Sequence, residues 1–305
     1  MSLDVIFRQI LIIFGYVIVG FVCGKLGIIN PEQRKYLNKL CSTLIVPFTI
    51  LSATDMEADT NDMQRFFIAV LVMFAVFCLT TVAVQVISRL LHLPVDLRTA
   101  YTGLLTYPNG TFLGLPLCTA LFGDWAILYC AALIISFNTL FFTVQVTLFS
   151  GEKADLKKLL TVNNGCTLLM AVMLACGIHL PSPVMTVVNN IGGMVTPLSL
   201  IIVGVMVSES NLSEVFREKR AYLVVLLRNF AIPLAVMAVL RLLPFSSEVR
   251  LCILVYLATP CATLPGIYAM QYDVQAKLYA RTILLSTMVF AVSLPVMILL
   301  GQSVL

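Results

Sequence analysis

With 305 residues, 60% of them hydrophobic and 11% charged, and a mean hydropathy of +1.01, the chain is far from the balance of a water-soluble domain and reads as an integral membrane protein. The net charge of +4 is spread along the sequence and forms no basic face, which excludes a nucleic-acid partner. The nine cysteines form no disulfide frame: Cys41, Cys78, Cys118, Cys130, Cys166, Cys176 and Cys252 fall inside apolar runs without metal-ligand spacing and read as small hydrophobes.

Apolar stretches near the ~20 residues that cross a bilayer run approximately from Ile6 to Val22, Tyr36 to Ala53, Phe66 to Ser88, Ala100 to Leu121, Ala126 to Phe149, Leu159 to His179, Val184 to Val207, Ala221 to Leu243, Leu251 to Met270 and Leu278 to Leu300. They predict an all-α polytopic protein of ten transmembrane helices. The first stretch resembles a signal peptide, but no small-residue cleavage site follows and Gly24 and Lys25 lead directly to the next span, so we read it as retained. Fourteen of the 19 Lys and Arg residues fall on one face, from Lys25, Arg34, Lys35 and Lys39 through Lys153, Lys157 and Lys158 to Lys277 and Arg281. Only Arg8, Arg65, Arg241 and Arg250 fall on the other. The positive-inside rule makes the first face cytoplasmic. Both termini, and the acidic turn of Asp55, Glu57, Asp59 and Asp62, are then outside, in a multi-pass protein of the cytoplasmic (inner) membrane.

The fourth stretch contains Tyr107 to Pro116, reading YPNGTFLGLP, where two prolines, two glycines and an asparagine interrupt a spanning helix. Proline removes a backbone donor and clashes with the preceding turn. Backbone freed this way at membrane depth is tolerated only against protein or a wet cavity, so this helix is expected to be broken and to line a site. The chain also repeats. Pro47 in LIVPFTIL matches Pro197 in GMVTPLSL, and Pro108 matches Pro260 in ATPCATLPG, at offsets of 150 and 152 residues. Repeats of approximately residues 1–150 and 156–305 would each hold five helices, and an odd number inverts the second. Helices 4 and 9, both interrupted by proline, become equivalent and cross as broken helices.

Each half-helix start presents unpaired amides and the positive end of a dipole, which attracts anions. One break is expected at Pro108, Asn109 and Gly110, with the next half-helix starting near Thr111 and Phe112. The other spans Pro260 to Pro265 and includes Cys261, Ala262 and Thr263. Ordinary proline kinks are the alternative; the doubled prolines in each helix and their recurrence at the repeat offset argue against it.

These segments carry a resemblance. YPNGTFLGLPLCTALFG, from Tyr107 to Gly123, resembles the fourth-helix motif of the auxin efflux carrier (PIN-like) family, and ATPCATLPGIYAMQYDV, from Ala258 to Val274, resembles its ninth-helix motif. Pro47 and the run from Thr196 through Pro197 to Leu200, with Gly204, also fit, and the chain is similar to a bacterial member over nearly its whole length. The resemblance implies an elevator-like secondary carrier. Helices 1, 2, 6 and 7 would form a scaffold, helices 3, 4, 5, 8, 9 and 10 a moving transport domain, and the chain a homodimer. It implies a small organic anion as substrate: indole acetate in plants, dicarboxylates or other carboxylates in bacteria. Asn109 would bind the carboxylate, aided by amides near Gly110 and by Pro260 and Cys261. Asn138, in SFNTLFF, takes the place of a polar substrate contact, and Pro47, Pro116, Pro197 and Pro265 are structural or hinge positions. Two departures stand out. The long loop of plant members is reduced to about Gly151 to Asp155, and the third helix, Phe66 to Ser88, lacks the charged pair those members keep.

All 15 acidic residues fall at or outside predicted span ends, so no carboxylate is placed to relay protons or bind sodium at the midplane. The coupling ion, H+ or Na+, stays open, and nothing in the sequence asks for a metal or cofactor. Arg228 lies about 10 Å inside its span at 1.5 Å per residue. Snorkelling to the cytoplasmic surface accounts for it; anion attraction or domain locking is the alternative. Asn189 and Asn190 read as interhelical hydrogen-bonding partners, and His92 and His179 carry no expected chemistry. A channel-like uniport pathway of the same fold is the other functional reading, with a membrane receptor behind it. An enzyme is not expected, because no catalytic set lies in the spans.

Overall fold

Every regular element among the described residues is helical, as a chain in hydrocarbon requires to satisfy its own backbone. The computed structural model describes residues 3–56, 60–152, 156–209 and 212–305; Glu57, Asp59 and Lys153, used above for orientation, lie outside them. In chain order the longer helices are α1 (Leu3–Lys25), α2 (Pro31–Asp55), α3 (Thr60–Leu90), α4 (Val95–Thr106), α5 (Gly110–Phe122), α6 (Ala126–Ser150), α7 (Val162–Ala175), α8 (Ser182–Ser208), α9 (Lys219–Leu240), α10 (Ser247–Leu257), α11 (Thr263–Gln271) and α12 (Ala276–Val304), with short helical turns at Leu156–Leu159 and Leu212–Arg217. Among the described residues, α2, α3, α6, α8, α9 and α12 are each long and apolar enough to cross a membrane. The remaining apolar stretches of the sequence fold as α1, as α7 and as two interrupted helices, α4 with α5 and α10 with α11. The protein is thus an all-helical, multi-pass integral membrane protein.

Local chemistry sets the ends and irregularities of these helices. At the start of α2, Asn30 accepts from the Gln33 amide at 2.8 Å while the Gln33 side chain accepts from the Asn30 amide at 2.9 Å, with Pro31 at the first helical position. Ser246 and Thr161 cap α10 and α7 through their side-chain oxygens, which accept from the Val249 and Asn164 amides. Inside α2, α5 and α9 the backbone widens into a π-turn immediately before a proline: Cys41–Ile45 precedes Pro47, Gly110–Gly114 precedes Pro116, and Leu227–Ala231 precedes Pro233. A proline ring clashes with the carbonyl four residues back, and one extra residue in the preceding turn relieves that clash. Pro197 and Pro265 sit in the first turns of their helical segments, where a missing N–H leaves no intrahelical bond unmade.

Packing divides along recognisable lines. α1 lies along the second half of α8, whose first half packs on the second half of α2, and α2 in turn packs on α7. α3 packs on α4 and α6, while α9 and α10 pack on α12. The α1–α8 contact is close because small residues face backbone: a Cβ on Gly204 would meet the Val17 carbonyl oxygen, and one on Gly20 would meet that of Ile201. Replacing Gly204 with Leu is therefore expected to push the helices apart and lower the thermal midpoint of the detergent-solubilised protein by about 5 °C or more; an unchanged midpoint would contradict this packing.

Polar groups also tie the helices together. Thr49 donates to the Gly192 carbonyl at 2.8 Å, and Asn189 donates to Asp55 at 3.1 Å, as expected of an interhelical partner. His179 faces the Thr54 carbonyl oxygen at 3.1 Å. Between Phe66 and Ser88 of α3, where the sequence has no charge, Gln85 donates to Thr102 at 2.9 Å and Thr81 meets Thr106 at 3.4 Å, so uncharged hydrogen bonds join α3 to α4.

Candidate functional site

The two breaks predicted from the prolines meet each other. Pro108 and Cys261 form an antiparallel bridge, in which the Asn109 amide donates to the Pro260 carbonyl at 2.8 Å and the Ala262 amide donates to the Tyr107 carbonyl at 3.0 Å. Backbone that proline frees in one helix is thereby satisfied by the other. At the first break Asn109 adopts φ −76° and ψ 59°, and the Gly110 amide donates to the Pro108 carbonyl at 2.8 Å, the geometry of an inverse γ-turn. The Asn109 carbonyl then accepts from the Leu113 and Gly114 amides and starts α5. Beneath the turn, the buried Tyr107 ring packs edge-on against Phe137 and Phe141 at centroid distances of 5.0 and 5.4 Å.

A cavity of about 680 Å³ lies against this crossing, within the size range of small-molecule sites. Pro108, Asn109, Gly110, Thr111 and Asn138 line it, as does Ala262 from the second break. Pro260 and Cys261 do not. The Pro260 carbonyl is taken by Asn109, and Cys261 is fully buried with its amide donating to Ser286 Oγ at 3.0 Å, so these two residues build the crossing from behind.

Asn109 is the polar centre of the wall. Its side chain is buried and its amide nitrogen has no hydrogen-bond partner. A buried donor left unmade is costly, on the order of 1–3 kcal/mol. The first amides of a helix have no intrahelical partner. In α5 the Gly110 amide is already engaged, which leaves Thr111 and Phe112; in α11 the corresponding residues are Thr263 and Leu264. All four residues line the cavity, so two helix starts border it.

Asn138 donates to Asn164 at 2.8 Å, and Asn164 donates to the Leu159 carbonyl at 2.9 Å, which orients the Asn138 carbonyl end. The sequence places Thr263 in the second break but does not single out Leu264, nor Asn163, whose buried side-chain carbonyl oxygen lacks a partner and which also lines the cavity. Much of the remaining wall is apolar, with Phe112, Phe137, Phe142, Ile267 and Leu284. The cavity extends to Arg34, Lys35 and Lys39 on α2; Lys35 and Lys39 are exposed, so this basic end is open. Arg34 is held by Glu209 at 3.0 Å. Past the crossing, away from that mouth, Leu115, Leu117 and Cys118 of α5 are fully buried.

One reading of the sequence needs correction. Arg228 does not snorkel: it is 1% exposed, and its guanidinium donates to the carbonyls of Leu105, Leu257 and Thr259 at 3.2, 2.7 and 3.2 Å. Those acceptors border the two breaks and lie closer than the water that snorkelling would seek. Cys118, Cys130 and Cys252, which show no pairing in sequence, converge with their sulfur atoms within 4.8 Å of one another. All three are fully buried and outside the cavity, where thiolates would be costly, and we read them as packing.

The profile of a family described as membrane transport protein, to which the auxin efflux carriers belong, matches residues 5–163 and 166–298. No curated protein matches the chain.

Proposed function

The chain belongs to the membrane transport protein family, and from that premise we propose that it is a secondary transporter carrying a small organic anion, a carboxylate, by elevator-like alternating access. The observation that carries the proposal is the unpartnered amide nitrogen of Asn109, buried at an antiparallel helix crossing and bordering a cavity. An anion seated there would accept from Asn109 and lie between the starts of α5 and α11, where charge-assisted hydrogen bonds and both dipoles favour negative charge. The exposed Lys35 and Lys39 at the mouth would concentrate anions before they bind. Membership in a transporter family fits a protein that is not an enzyme.

The elevator reading draws on the packing. α1, α2, α7 and α8 pack as one set and correspond to helices 1, 2, 6 and 7 of the ten predicted spans. α3 to α6 and α9 to α12 supply the rest and contain both arms of the crossing. In this scheme the first set is the scaffold and the second moves with the ligand, in a 5+5 inverted repeat whose basic face is cytoplasmic. The cavity is open at that face and packed beyond the crossing, which corresponds to an inward-open state. The scheme also assigns the protein to the cytoplasmic membrane as a dimer through the scaffold.

Counterflow distinguishes a carrier from a channel-like uniport pathway. Proteoliposomes preloaded with a carboxylate that stabilises the purified protein should take up labelled carboxylate faster than empty ones, with saturation. Current without saturation or trans-acceleration would reject the carrier in favour of a channel.

A further inference from the structure

Arg228 sits where the negative ends of two helices converge. Leu105 is in the last turn of α4, Leu257 ends α10, and Thr259 follows in the second break, so a single guanidinium collects carbonyl oxygens from both arms of the crossing. Carbonyls at a helix C-terminus lack intrahelical partners, and the dipole there favours a cation. Among the described residues no carboxylate pairs with Arg228, so its charge is compensated by backbone alone. In carriers built on broken helices, unwound carbonyls and half-helix C-termini of this kind coordinate the coupling cation. Here the place is already filled by a cation covalently attached to α9. The same π-turn supplies Asn229, which donates to the Ser286 carbonyl at 2.9 Å and accepts from Ser286 Oγ at 2.8 Å, while Ser286 Oγ accepts from the Cys261 amide. One widened turn thus holds the carbonyl side of the crossing with a charge and its amide side through a neutral relay.

We propose that Arg228 is a tethered cation occupying the carbonyl site behind the crossing, so that the crossing assembles without a free monovalent cation and transport through it is independent of Na+. Arg228 is a positioning residue: it does not line the cavity, and it acts on Asn109 through the pairing of the two breaks. The transport clause rests on the function proposed above; the assembly clause does not.

The test uses thermal unfolding of the purified full-length protein in detergent. Wild-type protein should keep its midpoint within about 1 °C when NaCl is replaced by N-methylglucamine chloride at equal ionic strength. Arg228→Ala leaves the carbonyls without a donor and should lower the midpoint by about 5 °C or more. Adding Na+ or millimolar guanidinium chloride to that variant should restore at least half of the loss, saturably, and Arg228→Lys should remain near wild type without either. The proposal is overturned if Arg228→Ala is as stable as wild type, or if neither cation restores it. It is also overturned if wild-type protein is itself saturably stabilised by Na+, an arm that decides the matter even where the alanine variant cannot be purified. These readouts need no transport. If proteoliposomes show no uptake, the transporter reading fails while the thermal arms still decide the role of Arg228; uptake that requires Na+ overturns the transport clause.

Discussion

Replacing Asn109 with Ala is expected to weaken carboxylate binding by about 10- to 100-fold while leaving the thermal midpoint of the ligand-free protein within about 2 °C of wild type. The backbone of Asn109 makes the crossing, through its amide to Pro260 and its carbonyl to Leu113 and Gly114, and an alanine can make the same bonds. The side-chain nitrogen bonds nothing, so truncating it costs no internal hydrogen bond. What is lost is a buried donor to a charged acceptor, a hydrogen bond worth about 1.5–3 kcal/mol, and each 1.4 kcal/mol is a tenfold change in affinity. Asn109→Asp, with the same shape and a negative charge, should lose more than the alanine. The check is a titration of the purified variants with a carboxylate that stabilises the wild type. An unchanged midpoint concentration for Asn109→Ala would remove this residue from the site.

The second large effect is expected at Gly110. A Cβ there would meet Oη and Cζ of Tyr256, a fully buried ring on α10. Gly110 and Tyr256 belong to opposite arms of the crossing, so neither can yield without moving the pairing at Pro108 and Cys261. Overpacking of this kind costs about 1–3 kcal/mol or more. Gly110→Ala should lower the thermal midpoint by about 5 °C or more, with loss of ligand stabilisation. Making room with Tyr256→Leu in the same chain should recover part of that loss. Gly110→Ala at wild-type stability would mean that the two arms do not approach as described.

The prolines explain why so much of the crossing was legible in the sequence. A missing N–H has the same consequence in any fold, and Pro108 and Pro260, doubled by Pro116 and Pro265, marked where two helices had to stop. The polar residue at the first break, Asn109, followed directly. What the other arm contributes was less legible. Leu264 would act through its backbone amide, which no side-chain identity reports. Asn163 looks like any polar residue near a helix end until α7 is packed beside the cavity. Arg228 was misread because depth along a helix gives only the reach of the side chain. Its acceptors come from Leu105, Leu257 and Thr259, far away in sequence, and a π-turn alters the direction in which the side chain leaves α9. The three thiols of Cys118, Cys130 and Cys252 converge across α5, α6 and α10, a meeting that spacing along the chain cannot reveal.

In the proposed transporter a carboxylate lies at the crossing, between Asn109 and the two helix starts. The most direct test is thermal stabilisation of the purified wild-type protein by a panel of aliphatic and aryl carboxylates, each paired with its carboxamide of the same size. The predicted result is saturable stabilisation by at least one carboxylate and none by its matched amide, because the site offers donors and positive dipole ends. Equal stabilisation by both members of every pair, or by no carboxylate in the panel, would contradict an anion site at the crossing.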